Sequence, residues 1–327
     1  MYITPKSIFD MYIKRFERID RYPNRFTKSL LKTRKIMNQN WSFDIVRFFE
    51  INNIKEKELS INSEQLPTID ILILITAKDL EIANATIKYA KLSSFNPIGS
   101  IYLIVPARDF EMINKEVVLL QNDIKIKLIS EDDVIGHSTR SLIESKRPDR
   151  FGWILQQVIV TKFISASTTS GVLVIDADTV LLKSKIWLRS NKQQVLMPTL
   201  EFHPSYYRFL ENYKEIYKLC THSFVSHHMV FQPEILRELT SHWNHDIDIV
   251  LNEAFDYSNE NDMSPFCLKY EFYAQFLISN YPELVAYEKW GNVQFNRRKG
   301  KLILSDLYKT KRLAKRYNSL SMHHWDW

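Results

Sequence analysis

The segment that most constrains the fold is an apolar strand pattern that ends in two carboxylates, between Gly171 and Leu182. Four consecutive apolar residues follow Gly171, which is typical of a strand covered on both faces. Asp176 and Asp178 then stand at positions i and i+2, before a second apolar run from Val180. Because carboxylates at the end of a buried strand are costly without a cation, the pattern predicts a positive partner there. Oxygen ligands at this spacing favour a hard divalent ion, and such an ion favours a phosphorylated substrate.

Two classes of enzyme use an aspartate pair placed in this way. In phosphatases of the haloacid-dehalogenase type the first aspartate is a nucleophile, and Asp176 to Val180 fits their D-x-D-x-[TV] pattern. In nucleotide-sugar glycosyltransferases with the GT-A fold, D-x-D instead holds a divalent ion against the donor diphosphate. Strand and helix patterns precede Asp176 here, and no later acidic cluster of the phosphatase kind follows. The position of the pair in the chain therefore favours a glycosyltransferase.

Composition excludes several other classes of protein. A chain of 327 residues with 45% hydrophobic and 13% aromatic residues is predicted to be globular. Its six glycines are too dispersed for a dinucleotide-binding or Walker A loop. Cys220 and Cys267 are far apart in sequence, which predicts a reducing compartment and no zinc-thiolate site. We find no secretory leader or membrane span in the sequence and therefore expect a cytoplasmic protein.

Positive charge concentrates at the two ends of the chain, although the formal net charge is only +6. Residues 1–40 contain ten Lys/Arg against three Asp/Glu, and residues 297–316 contain nine against one. The pattern from Ile8 to Arg21 is a basic amphipathic helix, which fits either attachment to the inner face of an anionic membrane or packing on the main domain. Basic ends also suggest a non-enzymatic polyanion-binding protein, but no nucleic-acid-binding motif occurs, and we expect no nucleic acid partner.

Strand and helix patterns alternate in the middle of the chain in a βαβαβ order. Strands are predicted at Ile69–Thr76, Ile101–Val105 and Ile124–Ile129, and helices at Leu80–Leu92 and Phe110–Leu120. This order predicts a parallel sheet with its site at the carboxyl ends of the strands. Thr76, Lys78 and Asp79 lie at the carboxyl end of the first strand and Asp132 at that of the third, so we expect these four residues to bind the donor. A helix over Arg150–Ser165 leads into the strand of Asp176.

Three groups of residues together resemble bacterial GT-A-fold glycosyltransferases of surface polysaccharide biosynthesis. They are Arg150-Phe151-Gly152-Trp153 with Gln156, Gln157 and Lys162 ahead of VLVIDADTVLL, then Ser223 to Phe231, and finally Tyr270-Glu271-Phe272-Tyr273. In these enzymes a donor-binding helix precedes the D-x-D strand, so the resemblance implies donor contacts for Arg150, Gln157 and Lys162. The chain departs from the pattern at Leu268-Lys269, where the group has Ser-Glu. The resemblance covers residues 67–290.

The same resemblance implies the catalytic groups. Glu271 is the candidate general base, which would make the reaction inverting, although a retaining mechanism stays open. His227 and His228 alternate along a predicted strand, so at most one faces the site, and the resemblance favours His228 as catalytic. Asp178 is expected to ligate a Mn²⁺ or Mg²⁺ ion on the donor diphosphate, with Asp176 on the ion or the donor ribose.

We therefore predict an α/β protein with a single GT-A (Rossmann-like) catalytic domain at residues 67–290. A helical, basic extension at residues 1–66 precedes this domain, and a basic segment at residues 291–327 closes on the active site. GT-A enzymes often complete the metal shell with a late histidine, so the resemblance implies His323 or His324. The predicted reaction moves a sugar from a nucleotide diphosphate donor to a bacterial capsule, O-antigen or lipopolysaccharide-type glycan, free or lipid-linked. The donor sugar and the linkage are left open.

Overall fold

A computed structural model of the chain describes residues 65–118, 125–199, 223–258 and 267–323, so the predicted helix at Ile8–Arg21 lies outside the described residues. The strands are β1 Ile69–Leu74, β2 Ile98–Val105, β3 Ile126–Ser130, β4 Val172–Asp176, β5 Thr179–Leu181, β6 Gln194–Leu196, β7 His228–Phe231, β8 Val285–Tyr287, β9 Asn292–Asn296 and β10 Ser319–His323. The helices are α1 Leu80–Leu92, α2 Phe110–Val118, α3 Glu131–Val134, α4 His137–Lys146, α5 Phe151–Ala166, α6 Pro233–Ser241, α7 Ile247–Tyr257, α8 Tyr273–Asn280, α9 Arg297–Leu304 and α10 Leu307–Ala314. A π-helical turn at Leu268–Phe272 precedes α8.

The centre of the molecule is a five-stranded sheet with the strand order β3-β2-β1-β4-β7. β1, β2, β3 and β4 are parallel, whereas β7 is antiparallel to β4. The predicted parallel sheet is therefore confirmed, and α1 has the bounds that the apolar spacing predicts. Because β4 pairs with β1 in parallel, its carboxyl end at Asp176 lies beside the end of β1, with Leu74 as its pairing partner.

Alternate side chains of β4 enter two separate apolar clusters, one on each face of the sheet. Val172 and Val174 pack in the cluster that contains α5 residues such as Val158. Leu173 and Ile175 pack on the opposite face in the cluster that contains α1. All four side chains are buried, which explains the unbroken apolar run before Asp176. Two covered faces leave the end of the strand as the place for polar side chains.

A second sheet has the strand order β5-β10-β9 and brings residues 319–323 beside the two aspartates. β10 is antiparallel to β5, with Leu320 opposite Val180, and parallel to β9. The Met322 N–H donates a 2.9 Å hydrogen bond to the carbonyl oxygen of Asp178. The division of the chain into three parts stays a prediction. Within the described ranges, no helix has the length and apolar character needed to cross a bilayer.

Candidate active site

The candidate site is a cavity of about 530 Å³ at the carboxyl ends of β1 and β4. Its wall is formed by the 3₁₀ turn before α1, the D-x-D turn, α5, the π-helical turn and the start of α9. The charged residues of the wall are three carboxylates and three cations, namely Asp79, Asp176, Asp178, Lys78, Lys269 and Arg297, with His227 beside them. A polar wall of both signs can bind a ligand that carries phosphate and hydroxyl groups.

Asp176 is held by three donors from outside its own strand. Its Oδ1 accepts hydrogen bonds from Lys269 Nζ at 2.5 Å and from the Tyr270 hydroxyl at 3.1 Å, and its Oδ2 is 3.1 Å from His227 Nδ1. Burial alone would raise the pKa of Asp176, but the Lys269 ammonium and the His227 contact outweigh it and hold the pKa well below its usual range. The cation that the buried carboxylate requires is therefore supplied by the chain itself.

His227 presents its ring to the cavity in an orientation that Asp176 determines. Because Asp176 is ionised, it can only accept, so the hydrogen of the imidazole lies on Nδ1. Nε2 is then the ring atom that can accept a proton. The backbone of His227 has a φ of +64°, which is a left-handed conformation. Its side chain therefore does not follow the alternating directions of the side chains in β7, which begins at the next residue. On its other side the ring lies 6.0 Å from that of Trp290.

His228 lies in the core, which differs from the prediction that it faces the site. It begins β7, is buried, and its ring meets the Trp187 ring edge to face at 5.6 Å. Within the described residues neither ring nitrogen has a hydrogen-bond partner. Burial lowers the pKa of His228 to about 3, so the ring is neutral at physiological pH. His227 is the histidine that lines the cavity, whereas the resemblance favoured its neighbour His228.

The far wall of the cavity joins the turn after β1 to the start of α9. Arg297 Nη2 donates to Asp79 Oδ1 at 2.5 Å, and Nη1 donates to the carbonyl oxygen of Lys78. Thr76 supports the same carboxylate, since its hydroxyl donates to Asp79 Oδ2 at 2.8 Å. The structure thus brings together three residues predicted from the end of β1, with Lys78 and Asp79 lining the cavity. Arg297 was not predicted as a site residue; only the basic run that begins there indicated it.

Glu271, the predicted general base, is fully buried behind the site. Its Oε1 accepts hydrogen bonds from the Ser223 hydroxyl at 2.6 Å and the Phe224 N–H at 2.5 Å, and its Oε2 accepts from Gln275 Nε2 at 3.2 Å. These neutral donors tie the chain before β7 to the π-helical turn. Glu271 thus joins two segments behind the cavity, and its role as general base stays a prediction.

Gln157 supports the site from behind. It is buried, and its Oε1 accepts a 2.8 Å hydrogen bond from the backbone N–H of Lys269. Its neighbour Gln156 and Trp153, one turn earlier on α5, line the cavity instead. Helix α5 therefore contributes to the cavity, but through Trp153 and Gln156 and not through the predicted Gln157.

The remaining predicted donor residues lie outside the cavity wall of the described chain. Asp132 forms a 2.9 Å ion pair with Arg140 after β3. Lys162 donates to the Thr139 hydroxyl at 3.2 Å, between α5 and α4. Arg150 ends a short 3₁₀ turn just before α5. Donor contacts for Asp132, Lys162 and Arg150 stay predictions.

The described residues do not fit a divalent ion at Asp176. Both oxygens of its carboxylate already accept from the chain, and an ion there would lie against the Lys269 ammonium. Nowhere in the described ranges do three or more His, Cys, Asp or Glu residues form a group that could hold a metal ion. Asp178 lines the cavity. His323 ends β10, and His324 lies outside the described residues.

Comparison with known proteins gives a family and a fold. The sequence profile of DUF6492, described as a family of unknown function, matches residues 69–246. No curated protein matches the chain. Among solved structures, the mannosyltransferase Ktr4p from S. cerevisiae is similar with a TM-score of 0.50 and 10% identity, over 75% of this chain and 78% of that one. Mouse xyloside xylosyltransferase 1, in its apo form, is similar with a TM-score of 0.45 and 10% identity, over 79% and 98%. At this identity the likeness to Ktr4p concerns the fold alone, and it agrees with the predicted GT-A architecture.

Proposed function

The chain belongs to the DUF6492 family, whose function is unknown, and we propose that it is a glycosyltransferase that uses a nucleotide diphosphate sugar as donor. One observation carries this proposal: the D-x-D turn lies at the carboxyl end of a GT-A-type sheet, in a cavity that also contains three cations. In open α/β sheets, ligands bind at the carboxyl ends of the strands where the strand order changes direction. A diphosphate is the ligand class that Lys and Arg side chains in such a place recognise.

In this proposal the donor diphosphate contacts Lys78, Lys269 and Arg297. The three cations come from three different parts of the chain and meet only in the folded cavity. Trp153 provides an apolar surface in the same wall, and Asp178, which lines the same cavity, accepts from the hydroxyl groups of the sugar or ribose. Charge that develops on the departing diphosphate is stabilised by positive groups that are already in place.

We assign the acid–base step to His227 in place of Glu271 and His228. Asp176 fixes the ring so that Nε2 can take the proton of the acceptor hydroxyl as the hydroxyl oxygen attacks the sugar. The imidazolium that forms is stabilised by the Asp176 carboxylate, in the way that a carboxylate supports a catalytic histidine in other enzymes. A direct attack of this kind inverts the configuration of the sugar.

The phosphatase alternative is not favoured by any contact in the site. A nucleophilic Asp176 would need a carboxylate oxygen directed at phosphorus, but its oxygens accept from Lys269, Tyr270 and His227. A purely polyanion-binding protein does not require Asp176 and Asp178 in the middle of its basic wall. The glycosyltransferase accounts for both signs of charge.

The acceptor and its location extend the proposal on the basis of the sequence resemblance. We propose a bacterial surface glycan as acceptor, with residues 67–290 as the catalytic unit between a basic extension and a basic C-terminal segment. α9 and α10 expose Leu302, Leu307 and Tyr308, next to the cations Lys311, Arg312, Lys315 and Arg316. Each Lys or Arg near an anionic leaflet is worth about 1 kcal/mol, so this hairpin suits reversible contact with the inner face of a membrane.

The catalytic proposal is tested with the full chain and a panel of nucleotide sugars. We expect one donor to be hydrolysed slowly, with release of the nucleoside diphosphate, and to be transferred once a matching acceptor is added. The anomeric configuration of the product, read by NMR, tests inversion. If no nucleotide sugar or nucleoside diphosphate in the panel binds, the proposed function is wrong.

The membrane proposal has its own test by co-sedimentation with liposomes. Binding should require anionic lipid and decrease with added salt, because surface charge attraction is screened. Tyr308→Ser and Leu307→Ser should weaken the binding and leave sugar transfer to a water-soluble acceptor unchanged. Equal sedimentation with neutral and anionic liposomes would contradict the electrostatic part of the proposal.

A further inference from the structure

We infer that two lysines, Lys269 and Lys78, supply the positive charge that a divalent ion supplies in other D-x-D glycosyltransferases. The donor diphosphate would then bind to this chain without a metal ion. The inference rests on the proposed function, since it concerns how the same cavity holds the donor. It differs from the sequence prediction, which assigned Asp176 and Asp178 to a metal.

Lys269 is built into the site by several contacts. Its ammonium lies 2.5 Å from Asp176 Oδ1 and 4.7 Å from the centre of the Tyr270 ring. Its backbone N–H is bound by the buried Gln157 side chain. The lysine side chain is only 7% exposed. A long, flexible side chain that is buried and held in this way serves as a fixed cation.

The charges around the D-x-D turn balance without an added ion. A divalent ion would bring two positive charges against the carboxylates of Asp176 and Asp178, and Lys269 together with Lys78 brings the same two. Arg297 does not change this sum of charges, because its guanidinium is paired with the Asp79 carboxylate. Lys78 has no ion-pair partner among the described residues, so its ammonium is available to an anion in the cavity.

The identity of residue 269 determines which cation the site can accept. This chain has a lysine at position 269, and its ammonium lies beside the Asp176 carboxylate. A glutamate beside Asp176 would add a third carboxylate to the turn, and clustered carboxylates favour a divalent ion. Lysine reverses that charge and repels an ion at the same place. The lysine at position 269 thus has a direct electrostatic consequence for the ligand that the site accepts.

The test measures binding of uridine, guanosine and adenosine diphosphates to the full chain by calorimetry, in EDTA and in Mn²⁺. For the nucleotide that binds, we expect wild-type affinity to change by less than about threefold between the two buffers. Lys269→Met should lower the affinity in EDTA by about tenfold or more, because one charge-assisted contact is lost. Lys127→Met is the matched control on an exposed lysine of β3, with unchanged affinity.

Two further variants keep the test decisive if Lys269→Met does not fold. Asp176→Asn with Lys269→Met replaces the ion pair by a neutral pair, and it should fold but bind the nucleotide more weakly in EDTA. Lys269→Glu should acquire a metal response, with a thermal midpoint that rises on addition of Mn²⁺, whereas the wild-type midpoint stays constant. This second readout does not depend on catalysis.

The outcomes separate the inference from the proposed function. Wild-type protein that binds the nucleotide only with Mn²⁺ overturns the inference and leaves the glycosyltransferase standing. A wild-type thermal midpoint that rises with Mn²⁺ as much as that of Lys269→Glu overturns it as well. Absence of nucleotide binding in both buffers overturns the proposed function, and the inference with it.

Discussion

Asp176 is a half-buried carboxylate and Glu271 a fully buried one, and their surroundings differ in kind. Glu271 is enclosed by neutral donors, two from the chain before β7 and one from α8. Asp176 is bound by an ammonium, a phenol and an imidazole, and it faces the cavity. Neutral donors stabilise a charge in place, whereas titratable partners can exchange protons and contact an anion. The chemistry of the partners is therefore the basis on which we propose a catalytic role for Asp176 and a structural one for Glu271.

The largest expected effect is that of removing the Asp176 carboxylate. Asp176→Ala leaves the Lys269 ammonium buried without its partner and frees the His227 ring, so we expect sugar transfer to fall by about 1,000-fold or more. Asp176→Asn keeps the shape and removes the charge, and it should lose most of the same activity. Steady-state kinetics on protein of native circular dichroism measures both. Transfer near the wild-type rate in either variant would contradict the catalytic role.

Removal of the His227 ring is expected to have the next largest effect. His227→Gln should lower kcat by about 100-fold or more and leave nucleoside diphosphate binding nearly unchanged, as expected for loss of a general base. A comparison of kcat with the binding constant separates this result from a defect in donor binding. His227→Ala with normal kcat would exclude the ring from the proton transfer.

Glu271→Gln should affect folding far more than chemistry. The amide keeps one accepting oxygen for Ser223 and Phe224 but turns its NH₂ group toward the donor of Gln275. We expect the free energy of unfolding to fall by about 1–3 kcal/mol, with transfer per folded molecule close to wild type. Urea denaturation and kinetics measure the two effects. A folded variant of normal stability that has lost turnover by orders of magnitude would restore Glu271 as the base.

The smallest effect concerns pH and His228. Burial lowers the pKa of His228 from 6.5 to about 3, so below about pH 6.5 the unfolded chain takes up a proton that the folded protein excludes. The contribution of His228 to the free energy of unfolding is constant above that pH. It decreases by about 1.4 kcal/mol per pH unit as the pH falls between roughly pH 6 and pH 4. His228→Leu should show a shallower loss of stability over this window. Parallel pH profiles of unfolding free energy for the two proteins would contradict this account.

The sequence was sufficient for the parts of the site that are local in the chain. Apolar runs predicted β1 and β4, and polar residues directly after them predicted Lys78, Asp79, Asp176 and Asp178 in the cavity wall. Helix α1 followed from the spacing of its apolar residues. Each of these features depends on neighbours within a few positions, which is the range over which patterning is informative.

The partners of these residues depend on distant parts of the chain and were not predictable in the same way. Lys269 reaches Asp176 across 93 residues, and Arg297 reaches Asp79 across 218. A π-helical turn places Lys269 and Tyr270 on one carboxylate oxygen, which a regular 3.6-residue period does not anticipate. His227 was missed because the resemblance favoured His228, and the positive φ of His227 could not be read from the sequence. The available signals were the basic run that begins at Arg297 and the lysine at position 269.

The central place of β10 in the second sheet has a consequence for the order of folding. The Thr179 and Ser321 hydroxyls are 3.1 Å apart and join positions separated by 142 residues. A long loop must therefore close, with a loss of chain entropy, before the contacts of this sheet can form and stabilise it. The strands β1 to β4 can pair while the ribosome is still synthesising the segment that carries Arg297 and β10. A nascent chain can therefore form its central sheet before the far wall of the cavity exists. Under the proposed function, competence to bind the donor would then be reached late in synthesis, after the framework that supports it.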